Sequence, residues 1–179
     1  MITLSSLGGS KLHCDLDGTS VAVFPDAPDA KAKISLMGSP KEDTPKSVVS
    51  WPGEYDMNDI SIRGIGHEEG QRVSYVVTVD KVRIAFLSSP LPELSAEELE
   101  HMGDISILCL PADDAKLAQK LIDEIDPRVL IPLPTKDEKT FAELLKAVGA
   151  VGKEIQTEWK LKGGLPMEGR EVVILKPAK

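Results

Sequence analysis

A chain of 179 residues, 41 % apolar and 28 % charged, is long enough to bury a sizeable core and ordinary enough in composition to be one soluble domain over residues 1–179. No run approaches the ~20 apolar residues of a membrane span, and 29 acidic against 21 basic residues, a formal charge of −8, argue against nucleic acid as a partner. The two cysteines lack CxxC spacing, which argues against a disulfide framework or a zinc knuckle. The first residues enter strand-like sequence without a leader pattern, so a cytoplasmic setting is expected.

In chain order, residues 2–7, 11–17, 21–24, 33–37, 47–51, 60–65, 73–80 and 82–88 read as strands. In 11–17, Lys11, His13, Asp15 and Asp17 alternate with Leu12, Cys14 and Leu16, the period of two of a half-buried strand. Asp17-Gly18-Thr19 and the Asp80-Lys81 junction separate their neighbours at hairpin spacing and predict antiparallel pairing. The segment 38–46 is the most polar stretch inside the fold.

Beyond residue 94 the pattern changes. Ser95 and Glu98 form a capping box that opens a short helix ending near Gly103. Residues 105–110 read as a buried strand. A helix then starts at Asp113 or Asp114 and carries Ala118, Leu121, Ile122 and Ile125 on one stripe; Pro127 ends it, and 129–133 is another strand. This βαβ unit predicts parallel strands with the helix on one face. Thr135-Lys136-Asp137-Glu138 predicts a second capping box, followed by a stripe of Phe141, Leu144, Leu145 and Val148 and a cap at Gly149. Ile155, Thr157, Trp159 and Leu161 alternate as a strand, and 172–175 is the last one. The chain is therefore α/β (α+β). A four-layer αββα sandwich accommodates it, while composition alone leaves other layerings open.

Few side chains stand out chemically. Cys14 and Cys109 share strands with core residues and read as buried thiols. Asp43, between Pro40 and Pro45, suits a turn, and His67 reads as a solvated loop histidine. His13 and His101 have no companions that suggest catalysis. Ser39, Ser88 and Ser89 lie outside any G-x-S-x-G elbow. Glu97, Glu98, Glu100, Asp113 and Asp114 complement helix dipoles. The contexts of Trp51 and Trp159 do not decide between core and interface.

Several motifs nevertheless resemble the metallo-β-lactamase superfamily, in particular its small branch related to ascorbate-phosphate lactonases. Trp51-Pro52-Gly53-Glu54-Tyr55 resembles the PGEY segment of compact members. Residues 76–87 resemble the strand pair leading to a metal-bridging aspartate, and 125–132 the helix end and strand that carry the last histidine. The resemblance implies the αββα fold. It also implies a signature loop, H-x-H-x-D-H, whose imidazoles and carboxylate hold two metals about 3.5–4 Å apart. By register with Ile34-Ser35-Leu36-Met37, the corresponding positions are Ser39, Lys41, Asp43 and Thr44, of which only the aspartate fits. The LGHS motif reads Leu7-Gly8-Gly9-Ser10, placing Gly9 at its histidine; the LGD motif reads Leu87-Ser88-Ser89, placing Ser89 at the bridging carboxylate; and the final histidine falls on Pro134. His67 matches a further ligand position.

These substitutions predict a degenerate metallo-β-lactamase-like protein without a dinuclear centre or other cofactor. It would bind an unknown protein or small-molecule partner, or assemble with itself. The alternative is a hydrolase of a small ester, lactone or phosphate-bearing substrate, using a single zinc or manganese or a rearranged site around Asp43, His67 and the Ser88-Ser89 turn.

Overall fold

Side-chain alternation decides which way each strand faces. The computed structural model describes residues 1–177. In β2 (Lys11–Leu16), Leu12, Cys14 and Leu16 are buried and Lys11, His13 and Asp15 are not. Antiparallel partners in β1 (Ile2–Gly8) follow suit, with Leu4 opposite Cys14 on the inner face and Ser5 opposite His13 on the outer. A six-stranded sheet runs in the order β13 (Glu158–Lys160), β1, β2, β3 (Thr19–Val23), β4 (Ile34–Leu36), β5 (Val48–Val49). Seven strands form the second sheet, in the order β14 (Glu171–Val172), β11 (Val129–Leu133), β10 (Ile107–Pro111), β9 (Val82–Phe86), β8 (Arg72–Val79), β7 (Ile60–His67), β6 (Gly53–Met57). The two expected hairpins form. Asp17 and Gly18, at φ 53° and 84°, and Asp80 and Lys81, at 45° and 67°, supply the paired positive angles that a two-residue turn needs to follow strand twist.

The inner faces meet in one core, where Leu4, Cys14, Val21 and Leu36 pack with Val77, Phe86, Cys109 and Ile131. Each large side chain removed from water there contributes about 1.5–3 kcal/mol. A second cluster lies on the other side of the seven-stranded sheet, between Ala85, Leu108 and Leu130 and the helical residues Met102, Leu121, Ile122 and Leu144. α1 (Ala96–Met102) has Ser95 as N-cap in a complete capping box and Gly103 as C-cap, as expected. α2 (Ala115–Ile125) starts from Asp114 and ends at Asp126 in the left-handed region, just before Pro127. The strands around α2, β10 and β11, are parallel.

The architecture is of the αββα type, two facing sheets, but among the described residues only one of the two outer helical layers of the expected four-layer arrangement is present. All three helices of the described residues pack on the outer side of the seven-stranded sheet. The other sheet presents polar residues such as Ser5, His13 and Asp15 outward. No helix among the described residues is long and apolar enough to cross a membrane.

Four expectations change. α3 (Glu138–Ala147) is capped by Asp137, whose carboxylate accepts the Thr140 N–H; Thr135 is not the cap, because its hydroxyl bonds Asp113 instead. The 155–161 alternation is split: β12 (Ile155–Gln156) pairs with β15 (Ile174–Leu175), whereas β13 pairs with β1. Likewise 172–175 is shared between β14 and β15. Finally, residues 53–57 form an edge strand, β6, that carries the Gly-Glu-Tyr part of the PGEY-like segment. The residues before it lie close against β7: a Cβ on Gly64 would stand 2.9 Å from the Trp51 carbonyl, and one on Gly66 2.8 Å from the Pro52 ring.

Candidate functional site

A cavity of about 290 Å³ opens where the β1–β2 turn, the segment after β4, the start of β8 and the turn after β9 converge. Its polar lining is Ser10, Ser39, Lys41, Arg72, Ser88 and Ser89. Phe24 and Met37 supply apolar wall, and Asp26 also borders the space. The frame around this mouth is tied across the two sheets. Tyr75, buried in β8, donates its hydroxyl to the carbonyls of Met37 at 2.5 Å and Val49 at 3.0 Å, and the Val73 N–H reaches the Gly38 carbonyl at 3.0 Å. Burial holds the Tyr75 phenol far above its ordinary pKa, so it serves as a neutral donor. Lys41 is fixed through its backbone: its N–H donates to Ser50 Oγ at 3.0 Å, and its carbonyl accepts from Ser50 Oγ and from Trp51 Nε1 at 3.2 Å each.

Behind Ser88 runs a buried row of polar groups. His67 Nε2 lies 2.8 Å from Ser74 Oγ; Ser74 Oγ lies 3.3 Å from Ser88 Oγ and accepts the Ser88 N–H at 2.9 Å. On its other side, His67 Nδ1 is 3.8 Å from Glu98 Oε1, a residue of α1. His67 is therefore the last residue of β7, 7 % exposed, not a solvated loop residue. Alternation along β7 puts it on the face of Arg63 and Ile65, the side covered by the helices, where α1 brings Glu98 and the neighbouring strand β8 supplies Ser74 as its partner. Burial lowers its pKa, an effect that outweighs the raising influence of Glu98; Arg72 lowers it further and Glu68 opposes.

A second polar node closes the turn after β9. Asp113 Oδ2 accepts from Ser89 Oγ at 2.9 Å and from the Leu91 N–H at 2.7 Å, and its Oδ1 accepts the Thr135 hydroxyl. One carboxylate thus joins the segments that follow β9, β10 and β11.

Of the residues singled out in the sequence, Ser39, Lys41, Ser88 and Ser89 line the one cavity. Gly9 is exposed in the turn beside Ser10. Asp43 and Thr44 fall outside the lining, Asp43 being exposed at φ 52°. Pro134 is exposed just after β11, and its neighbour Thr135 makes the link to Ser89 through Asp113. Arg72, Ser74, Glu98 and Asp113 are the site residues that sequence reasoning missed. Asp113 and Glu98 were explained by helix capping and helix dipoles, and nothing local marks Arg72 or Ser74.

Two metals need imidazoles and carboxylates turned into one space. Hydroxyls, two cations and a single carboxylate, Asp26, which is paired with Lys11, line the mouth, while the nearby imidazole and carboxylate, His67 and Asp113, are engaged elsewhere. Among the described residues no group of three or more His, Cys, Asp or Glu side chains is placed to hold a metal ion. The residues at the mouth do not fit a dinuclear centre.

Both the fold and the sequence identify the class. The β-lactamase superfamily domain profile matches residues 39–134, and the chain belongs to that family, within the metallo-β-lactamase superfamily. A solved structure from Thermotoga maritima, a candidate Zn-dependent hydrolase of that superfamily, superposes with a TM-score of 0.78 at 18 % identity, covering 98 % of each chain. A candidate metal-dependent hydrolase from Parabacteroides distasonis gives 0.65 at 17 % identity, over 99 % of this chain and 94 % of that one. A metallo hydrolase from the archaeon Ignicoccus hospitalis gives 0.64 at 13 %, over 99 % and 96 %. At these identities the likeness is one of fold. No curated protein matches the chain.

Proposed function

We propose that this protein is a cytoplasmic binding module on a metallo-β-lactamase scaffold, with the mouth of the sandwich as its binding site and no dinuclear metal centre in its mechanism. One observation carries this reading: the mouth is lined by Ser10, Ser39, Lys41, Arg72, Ser88 and Ser89. An ammonium and a guanidinium repel a cation and attract an anion, and serine hydroxyls are adaptable donors that orient a ligand. The fixed positions of Lys41 and Ser89, set by Ser50, Trp51 and Asp113, give the preorganisation that binding rewards. Small molecules, a protein segment or a second copy of the chain are the partner classes such a module serves.

The test is hydrolysis of a panel of esters, lactones and phosphoesters before and after chelation. The binding-module reading expects no turnover above background in either state. Turnover that chelation removes would overturn it.

A hydrolytic reading has one observation in its favour, the row Glu98, His67, Ser74, Ser88 that ends at the mouth. In it His67, through Ser74, would draw the proton from Ser88 Oγ or from a water beside it, with zinc or manganese needed only if a metal polarises the substrate. Ser88 is 3 % exposed, which works against direct attack. Activity lost in both His67→Ala and Ser74→Ala would favour that reading; activity lost in Asp43→Ala would instead implicate the outer loop.

A further inference from the structure

The charges at the mouth are unevenly compensated. Asp26 is paired with Lys11 at 2.5 Å. Arg72 donates from Nη1 to the Pro90 carbonyl at 2.7 Å and pairs through Nη2 with Glu68 at 3.2 Å, yet its Nε is buried with no hydrogen-bond partner among the described residues. Lys41 takes part in none of the ion pairs of the described residues. The cavity is therefore bordered by a lysine with no ion-pair partner among the described residues and by an arginine with a donor to spare. Another cavity, against β6 and β7, also contains arginines, but there Arg63 is engaged by Glu54 at 2.6 Å and by the His101 carbonyl, and Arg83 reaches Met102 O at 3.5 Å.

We propose, on the binding-module reading above, that the mouth takes a small ligand through a phosphate-like tetrahedral oxyanion. The donors come from four separate segments: Ser10 from the β1–β2 turn, Ser39 and Lys41 from the segment after β4, Arg72 from β8, and Ser88 from the turn after β9, where the Ser89 hydroxyl is already given to Asp113. Donors converging from several sides suit four oxygens arranged in space. A planar carboxylate is better served by a single bidentate arginine fork, and the fork of Arg72 is already occupied by Pro90 and Glu68. A volume of about 290 Å³ lies at the small end of ligand pockets, enough for a phosphomonoester of a small polar molecule. The buried Nε of Arg72 has no acceptor among the described residues, and an anion oxygen within its reach would remove the cost of that unsatisfied donor.

The purified full chain, without added metal, is titrated at fixed ionic strength with inorganic phosphate, glycerol phosphate and acetate, with binding followed by calorimetry and phosphorus NMR. Expected is one saturable site per chain for both phosphates, with acetate at least about tenfold weaker, and a loss of about tenfold or more in Lys41→Glu. Lys41 is exposed, so this variant should keep its fold; Arg72→Gln, with circular dichroism checked, provides a second reading of the same site. No saturation up to about 10 mM, equal binding of acetate, or binding unchanged in both variants would overturn the proposal. A metal-free chain that ignores phosphate would overturn the ligand class while leaving the binding-module reading in place. Phosphate binding abolished by chelation would put the anion on a metal and overturn both.

Discussion

Asp113 accepts the hydroxyl of Ser89 at 2.9 Å, and its second oxygen accepts the hydroxyl of Thr135. A carboxylate thus spans the ends of neighbouring parallel strands, at positions where the resemblance to metal-dependent relatives leads one to look for ligands. Replacing Asp113 by Ala leaves the Leu91 N–H and two hydroxyls without their acceptor, at a cost of about 2–3 kcal/mol. The denaturant midpoint should drop accordingly. Asp113→Asn, which keeps one acceptor oxygen, should recover part of the loss.

His67 gives a pH dependence whose sign follows from its burial. Burial holds its pKa in the folded protein below the ordinary histidine value of 6.5, so below that pH the unfolded chain binds the proton first and folding is destabilised. Stability should be level with respect to this group above pH ~6.5 and fall as the pH drops further. The slope between pH 7 and pH 5, measured by urea unfolding, should be smaller in His67→Gln than in the parent. An unchanged slope would mean that His67 is not held neutral by its surroundings.

Gly64 faces the Trp51 carbonyl, with 2.9 Å left for a Cβ. Because the obstacle is backbone, Gly64→Ala should push the Trp51-Pro52 segment away from β7 and cost about 1–3 kcal/mol. Trp51 is 51 % exposed and bonded to the Lys41 carbonyl, so its fluorescence should shift in the same variant and report the disturbance near the mouth.

Tyr75 ties β8 to the first sheet through two carbonyls. Tyr75→Phe keeps the ring and removes the donor; it should cost about 1–2 kcal/mol, read as a lower melting temperature. Hydrogen exchange should rise more around Met37 and Val49 than in the distant helix α2.

Much of the fold was legible because its signals are local. Ser95, Glu98 and Gly103 mark both ends of α1, and Asp17 with Gly18 marks a hairpin, because caps and tight turns satisfy backbone groups within a few residues. The split of Ile155 and Trp159 between two sheets was not legible: the sequence alternates alike on both sides of the break, yet the partners differ and Ile155 is exposed where Trp159 is buried. Thr135 misled for a related reason. Its spacing to Glu138 suits a cap, but a distant Asp113 competes for its hydroxyl. The candidate site divides in the same way. Ser39, Lys41 and Ser89 could be placed from register with recognisable motifs, whereas Arg72, Ser74 and Asp113 join through contacts across strands and segments that no spacing encodes.

The most direct test of the central reading is metal content per chain, measured after purification without chelator and a brief soak in zinc or manganese at neutral pH. A mouth built from Lys41, Arg72 and serines predicts close to zero bound metal. One or two tightly held metals per chain would contradict it and return the protein to the metal-dependent hydrolases.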